Sequence, residues 1–343
     1  MIYYLVKSRH ARSIFPLLTS ATPQLRKIMK VVYYEDLESM RSLNFGTYIF
    51  SDICRLDRVD AERATLIWNK LRSEIPDARL LNHPTASMKR YELLRTLYQI
   101  GLNPYNVYRL TERRIPQRYP VFVREEDVPT KPHERVDLIH SPVELEAVVS
   151  AILAQGRYRE NMIIVEFADT SDERKRFKKY SAFVIDGRIV PDHIHFDNSW
   201  HVKTSVIVER QTQEEQRDYV TRNPHEESLR KICAEARIGY GRIDYGVKDE
   251  QLVVWEIATN PAMFYQLRDP ETLDRTVKMF TEVNLAATPV GRVMNPIYRN
   301  PSVRLVRSII KKYPDPVRTL GNRVVPSRYR KRLSRFLAND IKW

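Results

Sequence analysis

RIDYGVKDEQLVVWEIATNP, residues 242–261, reads as a strand, a polar turn and a second strand, and each strand carries one carboxylate, Asp244 and Glu256. The pairing that best sorts the side chains takes Asp249-Glu250-Gln251 as the turn. One face then shows Ile243 opposite Ile257, Tyr245 opposite Trp255 and Val247 opposite Val253. The other shows Arg242 opposite Ala258, Asp244 opposite Glu256 and Gly246 opposite Val254. A slip of one residue sets Glu256 against Ile243 and Asp244 against Trp255, which moves side chains to the wrong face. In the favoured register the two carboxylates stand with Cβ atoms about 4.5–5.5 Å apart. Like charges that close repel, and one pKa rises unless something positive bridges them. A hard divalent cation such as Mg²⁺ takes carboxylate oxygens and suits the arrangement. The alternative is a solvent-facing acid pair with Arg242 beside it.

Composition narrows the classes. A chain of 343 residues has room for two domains, and 43% apolar with 29% charged residues is an ordinary soluble mix. The most apolar stretch, VVSAILA at 148–154, is far short of a membrane span. Charges within the first ten residues and no apolar segment followed by small residues argue against a secretory signal. The two cysteines, Cys54 and Cys233, are isolated, which fits a reducing cytoplasm. Nine glycines leave no Walker loop and no GxGxxG, since Gly239-Tyr240-Gly241 leads to Asp244 and into a strand. The net charge of +14 is concentrated: residues 301–343 hold 12 Arg/Lys and 2 Asp, so +10 of it lies there.

Along the chain, residues 1–80 alternate short apolar runs with a helix over 60–74, an α/β pattern. Leu94, Leu97 and Tyr98 mark a helix that stops at Gly101, and a strand follows at 106–110. TERRIPQR (111–118) is a candidate linker. Beyond it come a strand at 119–124, a charged loop to 135, and a helix over 141–156. That helix has Ser141 as N-cap, Pro142 at N1 and Glu144 closing a capping box. A buried strand at 161–167, a hairpin turning at Asp186-Gly187, a helix over 223–239 capped by Asn223, the carboxylate hairpin and a helix over 270–286 complete the series.

This order, closing on E-x-x-x-N-P, resembles the ATP-grasp superfamily over roughly residues 80–290. The likeness is strongest at RIDYGV…VWEIATNP, with LLNHPTASMKRYELL, YPVFVR, IIVEFADT and FKKYSAFVIDGRIVPDHI…W alongside. The resemblance implies an N-terminal α/β domain over 1–115 and an ATP-grasp domain of two α+β subdomains over 116–290, leaving a basic helical tail over 291–343. It implies ATP and Mg²⁺ as cofactors. Asp244 and Glu256 would ligate the metal. Lys89 would reach the nucleotide, Arg124 and Lys179 would touch phosphate, and Arg242 would sit beside the developing phosphoryl charge. The backbone of Glu166-Phe167-Ala168 would bind adenine, with Asp169 a ribose partner. The family's E-x-N would put asparagine at 258. This chain has Ala258, whose methyl cannot ligate, and Asn260, two residues on, is the substitute ligand expected. Arg124 stands where lysine is usual.

The implied activity is ATP-dependent carboxylate–amine ligation through an acyl phosphate, with an unidentified acid and amine. The alternatives are a phosphotransferase on the same fold, acting on a sugar or other acceptor, and a catalytically weak nucleotide-binding or scaffold protein, which Ala258 favours. His193 and His195 share a strand face without an evident third ligand and read as ordinary cleft residues. Trp200 and Lys203 border a substrate, with core packing and solvation the equal alternatives. The tail's basic amphipathic pieces suit an anionic membrane surface or another polyanion, or docking on the body. No specific nucleic-acid site is evident. The expected location is cytoplasmic, peripheral at the inner membrane face where the tail binds lipid.

Overall fold

The computed structural model describes residues 1–284 apart from 20–21, 40–42, 113, 128–135 and 264–269. The basic tail, with its membrane or polyanion reading, lies outside the described residues. Among those described, no helix is long and apolar enough to cross a membrane. The chain forms two compact units: Met1–Thr85 together with the described residues from Asn260 onward, and Ala86–Thr259.

The first unit is built on four parallel strands, β1 (Ile2–Val6), β2 (Met29–Tyr33), β3 (Thr47–Phe50) and β4 (Arg79–Leu81), in the order β2-β1-β3-β4. All five residues of β1 are buried, as a strand covered on both faces requires. Two helices join these strands, α1 (Pro23–Ile28) and α2 (Arg58–Glu74). The N-cap of α2 is Asp57, whose carboxylate accepts from Asp60 N–H at 2.9 Å. Ala64 and Leu71 of α2 pack on Tyr3, Leu5, Tyr48 and Phe50 of the sheet.

The second unit contains two antiparallel sheets. Helix α3 (Arg90–Gln99) precedes a three-stranded sheet of β5 (Val107–Arg109), β6 (Val121–Glu125) and β7 (Met162–Glu166), ordered β5-β7-β6, with α4 (Pro142–Ala154) inserted between β6 and β7. The other sheet holds β8 (Phe177–Ile185) and β9 (Arg188–Asp197), then, after helices α5 (Arg210–Arg222) and α6 (Glu226–Glu235), β10 (Tyr240–Lys248) and β11 (Gln251–Ala258). Its order is β11-β10-β8-β9. After Asn260 the chain is back in the first unit, where α7 (Pro270–Glu282) lies.

The α/β class and the element order follow the sequence pattern, and four local differences have physical causes. The units part at residues 85/86, ahead of α3, and TERRIPQR falls inside the second unit. Helix α3 belongs there because Leu93 and Leu97 enter the core of the β8–β11 sheet, while Leu94 joins Val107 and Val165 of the three-stranded one. A polar helix, α5, occupies 210–222, and Asn223 is its left-handed C-cap (φ +48°) instead of the N-cap of α6. The Asn223 amide donates to Ile189 O and Glu226 Oε2. At α4, Ser141 Oγ does accept from Glu144 N–H at 3.2 Å, but the Glu144 carboxylate reaches one residue further back, to His140 N–H at 2.7 Å.

The fourth difference bears on the carboxylates. Asp244 does face Glu256, and Arg242 faces Ala258. The turn, however, is the two-residue Asp249-Glu250, both left-handed at φ +49° and +63°, so that Lys248 pairs with Gln251. Two-residue turns of this handedness match the strand twist. The resulting offset of one residue is absorbed by a bulge between Asp244 and Tyr245, and Tyr245 pairs with Val254. Trp255, expected opposite Tyr245 on the apolar face, is thereby turned onto the carboxylate face above Gly246. A Cβ at Gly246 would meet the Trp255 ring at 3.0 Å and Thr170 Cγ2 at 2.9 Å. Gly246→Ala is therefore expected to lower stability by about 1–3 kcal/mol, the usual cost of overpacking, read as a drop in the thermal midpoint.

Candidate functional site

Both carboxylates open onto a cavity within the second unit. Its polar wall comprises Asp244, Glu256, Lys179, Arg90, Arg124 and Lys203. Its apolar wall includes Phe122, Val165, Phe167, Trp200 and Trp255. The sheet supplies the fixed part. Asp244 on β10 lies between β11 and β8, and its neighbour on β8 is Ser181. Asp244 is buried, and its Oδ1 accepts from Ser181 Oγ at 2.9 Å and Arg242 Nε at 3.0 Å. Lys179 Nζ stands 3.8 Å from Oδ2. Burial pushes the Asp244 carboxyl up, but Arg242 and Lys179 outweigh it and hold the group well below the usual carboxylate range. Asp244 is thus ionised at neutral pH. Glu256, at 31% side-chain exposure, is ion-paired with Arg90.

Lys179 and its neighbour Lys178 point to opposite sides of β8. Lys179 faces the cavity, while Lys178 pairs with Glu215 of α5 at 2.8 Å. Burial lowers the Lys179 pKa, and Asp244 restores part of it. Next to Lys179 and Ser181 on β9 stand His195 and His193, with ring centroids 4.2 Å apart. Their Nδ1 atoms meet Ser205 Oγ at 3.2 Å and Asp192 Oδ2 at 2.9 Å respectively. Burial, reinforced by His193 and Lys179, keeps the His195 imidazole neutral.

The segment after β9 contributes Trp200, His201 and Lys203. Trp200 packs against Phe122 and Phe167, with centroids at 5.0 and 5.5 Å. Lys203 is pushed down to about 8 by burial and by Arg124, Lys179 and Arg90, and His201 down to about 4 by burial and by Lys203, Arg124 and Lys179. The cations of this wall thus raise one another's free energy, the condition that an incoming polyanion relieves.

The end of β7 lines the same cavity through Glu166, Phe167 and Ala168. The Glu166 side chain is internal to the fold. It accepts from Arg118 Nη2 at 2.7 Å, Asn106 N–H at 3.0 Å and Tyr108 Oη at 3.0 Å. Phe167 N–H donates to Pro120 O at 2.9 Å. Asp169 lies just beyond. Against the upward push of burial, the Ser171 N–H holds it below its ordinary value.

The structure therefore brings together Asp244, Glu256, Lys179, Arg124, Glu166, Phe167 and Ala168. Arg242 stands behind Asp244 as its hydrogen-bond donor. Lys89 is the N-cap residue of α3, 3.9 Å from Asp127, and Arg90, not Lys89, is on the wall. Asn260 belongs to the first unit. Its Oδ1 accepts from Tyr4 Oη at 2.9 Å and Ser13 Oγ at 2.5 Å, and its amide donates to His10 O at 3.3 Å. Sequence reasoning missed Arg90, although Arg90 and Leu94 stand four apart, on one helix face with the buried stripe. Lys203, read from the sequence with Trp200 as a residue that borders a substrate or not, is on the wall, and His201 of the same aperiodic loop carried no comparable signal.

Two carboxylates match one Mg²⁺ site of the kind completed by substrate phosphates and water. Among the described residues no three His, Cys, Asp or Glu side chains form a metal cluster. Ala258, opposite Arg242, has no ligating atom.

No family model matches the chain, and no curated protein does. Solved structures similar to it include a D-alanine–D-alanine ligase from Bacillus anthracis complexed with ATP. It is 14% identical with a TM-score of 0.49, over 90% of this chain and 98% of that one. An L-amino acid ligase from Bacillus licheniformis is 14% identical with a TM-score of 0.40, over 78% of this chain and 68% of that one. A RimK domain ATP-grasp protein from Sphaerobacter thermophilus is 13% identical with a TM-score of 0.45, over 83% and 99%.

Proposed function

We propose that the protein is an ATP- and Mg²⁺-dependent ligase of the ATP-grasp type, activating a carboxylate as an acyl phosphate for attack by an amine. The observation that carries this reading is the ionised Asp244 opposite Glu256, both facing a cavity whose cations are Arg90, Arg124, Lys179 and Lys203. A glycine-poor chain has no phosphate loop, so side-chain cations must take that role. Phosphoryl transfer consists mainly of positioning and electrostatic stabilisation, which these groups supply.

Asp244 and Glu256 would hold Mg²⁺, which when bound neutralises phosphate charge. Arg90 and Lys179, which face the carboxylates in the free protein, gain phosphate oxygens as second partners. Arg124 and Lys203 would bind the rest of the triphosphate. Arg242 keeps Asp244 ionised and oriented and adds positive charge near the transferring group. Phe122, Phe167 and Trp200 give an apolar wall for the base. Since the Glu166 and Phe167 N–H groups are committed to Asn106 O and Pro120 O, the adenine edge falls to the Glu166 carbonyl and the backbone of Ala168. Asp169 is the ribose partner. Asn260, bonded within the first unit, is not needed for a two-carboxylate site.

The test is product analysis with Mg-ATP and mixtures of amino acids. ADP and phosphate should appear together, and their release should require both an acid and an amine. Phosphate retained on a product would overturn the ligase in favour of a phosphotransferase.

A further inference from the structure

The row of residues that carries the two carboxylates continues across the sheet. Glu256, Asp244, Ser181 and His193 follow one another on β11, β10, β8 and β9. The ladder is bulged immediately after this row on both sides, between Asp244 and Tyr245 against β11 and between Ser181 and Ala182 against β9. Bulges re-aim side chains and are frequent beside functional sites. Here they frame one contact: the fully buried Ser181 donates from Oγ to Asp244 Oδ1 at 2.9 Å. That contact makes the two oxygens of Asp244 unequal. Oδ1 accepts twice, from Ser181 Oγ and from Arg242 Nε at 3.0 Å. Oδ2 faces Lys179 Nζ at 3.8 Å, beyond hydrogen-bonding distance. A carboxylate anchored through one oxygen offers the other as a single, fixed donor.

Ser181 is itself held through its backbone. Its carbonyl accepts from Tyr219 Oη of α5 at 2.9 Å, Tyr219 Oη accepts from Tyr245 Oη at 3.1 Å, and Tyr245 Oη lies 2.9 Å from His225 Nδ1. Each hydroxyl has one proton to give. With Tyr219 donating to the carbonyl and Tyr245 donating to Tyr219, the proton of the third contact comes from His225 Nδ1–H. The donors therefore run in one direction, from His225 at the start of α6 to the backbone of Ser181. Tyr219 and Tyr245 are buried, and the Tyr180 ring stacks on Tyr245 with centroids 5.4 Å apart, so the chain is a fixed strut. Ser181, Tyr219, Tyr245 and His225 are not among the residues that line the cavity, and their route to it is Asp244.

We propose that Ser181, braced by the Tyr219–Tyr245–His225 chain, is a positioning residue that makes the Asp244–Glu256 pair select Mg²⁺ over Ca²⁺. Mg²⁺ demands octahedral geometry at about 2.0–2.1 Å and is held by one or two carboxylates with water and phosphate completing its shell. Ca²⁺ takes about six to eight oxygens at about 2.3–2.6 Å, often both oxygens of one carboxylate. With Oδ1 occupied twice, Asp244 has one oxygen to give, and the larger ion loses a ligand. This selectivity deepens the proposed nucleotide site and rests on it, since the ion is the one that accompanies ATP.

The dissociation constant of ATP is measured by titration calorimetry on the full chain, with Mg²⁺ or Ca²⁺ in excess so that all the nucleotide carries metal. Wild type should bind Mg-ATP more tightly than Ca-ATP. In Ser181→Ala the ratio of the Ca-ATP constant to the Mg-ATP constant should fall about 10-fold, the lower range for loss of an outer-shell partner. Ser181→Thr keeps the hydroxyl and should keep the ratio. Tyr219→Phe keeps the ring and removes the donor to Ser181, and should move the ratio the same way by less. A merely structural role weakens both complexes together, so an unchanged ratio in Ser181→Ala overturns the proposal, as does a wild type that binds the two complexes equally. If Ser181→Ala binds neither complex, the ratio in Tyr219→Phe decides by the same rule. Wild-type protein that binds neither complex overturns the nucleotide–metal reading, and this proposal with it.

Discussion

Asp244→Asn is expected to abolish the thermal shift that Mg-ATP gives the wild-type protein. A ligand at 100 times its dissociation constant stabilises by about 2.7 kcal/mol, which in a domain of this size raises the midpoint by several degrees. The substitution keeps the size of the side chain and removes the charge, leaving one carboxylate where a hard cation needs two. It also leaves Arg242 and Lys179 beside a neutral group. Both are 15% exposed and rely on Asp244 as their counter-charge. Breaking a buried pair costs about 3–5 kcal/mol, so the ligand-free variant should melt lower too. The informative quantity is the ligand-induced difference, measured for each protein against its own baseline. Glu256→Gln should lose the shift at a smaller cost to the free protein, because Glu256 is the more exposed of the pair. Equal shifts in wild type and both variants would show that these carboxylates do not hold a nucleotide-bound metal.

How much of this was legible depended on the kind of signal. Alternation and turn residues located nearly every strand, and Asp244 opposite Glu256 followed from keeping apolar side chains on one face. The same argument misplaced Trp255, because a bulge shifts register without leaving a mark in a run as uniformly apolar as LVVW. Helix α5 was overlooked because its sequence, RQTQEEQRDYVTR, is almost wholly polar; Tyr219 and Thr212 are its buried residues. The boundary expected at a proline-containing stretch differs from the division into units at 85/86, since three-dimensional packing of Leu93, Leu94 and Leu97 decides where α3 belongs. Cations were the least legible. A lysine or arginine on a helix or loop looks the same whether it points to water or to a cavity. Arg90 was passed over for the neighbouring Lys89, and Lys203 became conspicuous through the positive charges that the fold gathers around it.

Lys203 gives the second large effect, a pH dependence of nucleotide affinity with a definite sign. In the free protein its pKa is pushed down to about 8, by burial first and then by Arg124, Lys179 and Arg90. A bound triphosphate supplies negative charge beside the ammonium and raises that pKa again. The bound state therefore keeps a proton that the free state loses above pH 8. Linkage then requires affinity for Mg-ATP to be full below pH 8 and to fall above it, by at most about tenfold per pH unit for one proton. Folding responds in the opposite sense. Between pH 8 and the ordinary lysine value the unfolded chain binds more protons than the folded one, so this group's contribution to stability improves as pH rises. One side chain thus predicts tighter folding and weaker binding over the same pH range. The measurement is the dissociation constant at pH 7, 8 and 9 for wild type and Lys203→Met. The variant should bind more weakly at pH 7 and lose the slope. If the slope survives in the variant, the titrating group is not Lys203, and Lys179, whose pKa burial also lowers, becomes the cation whose proton the nucleotide holds.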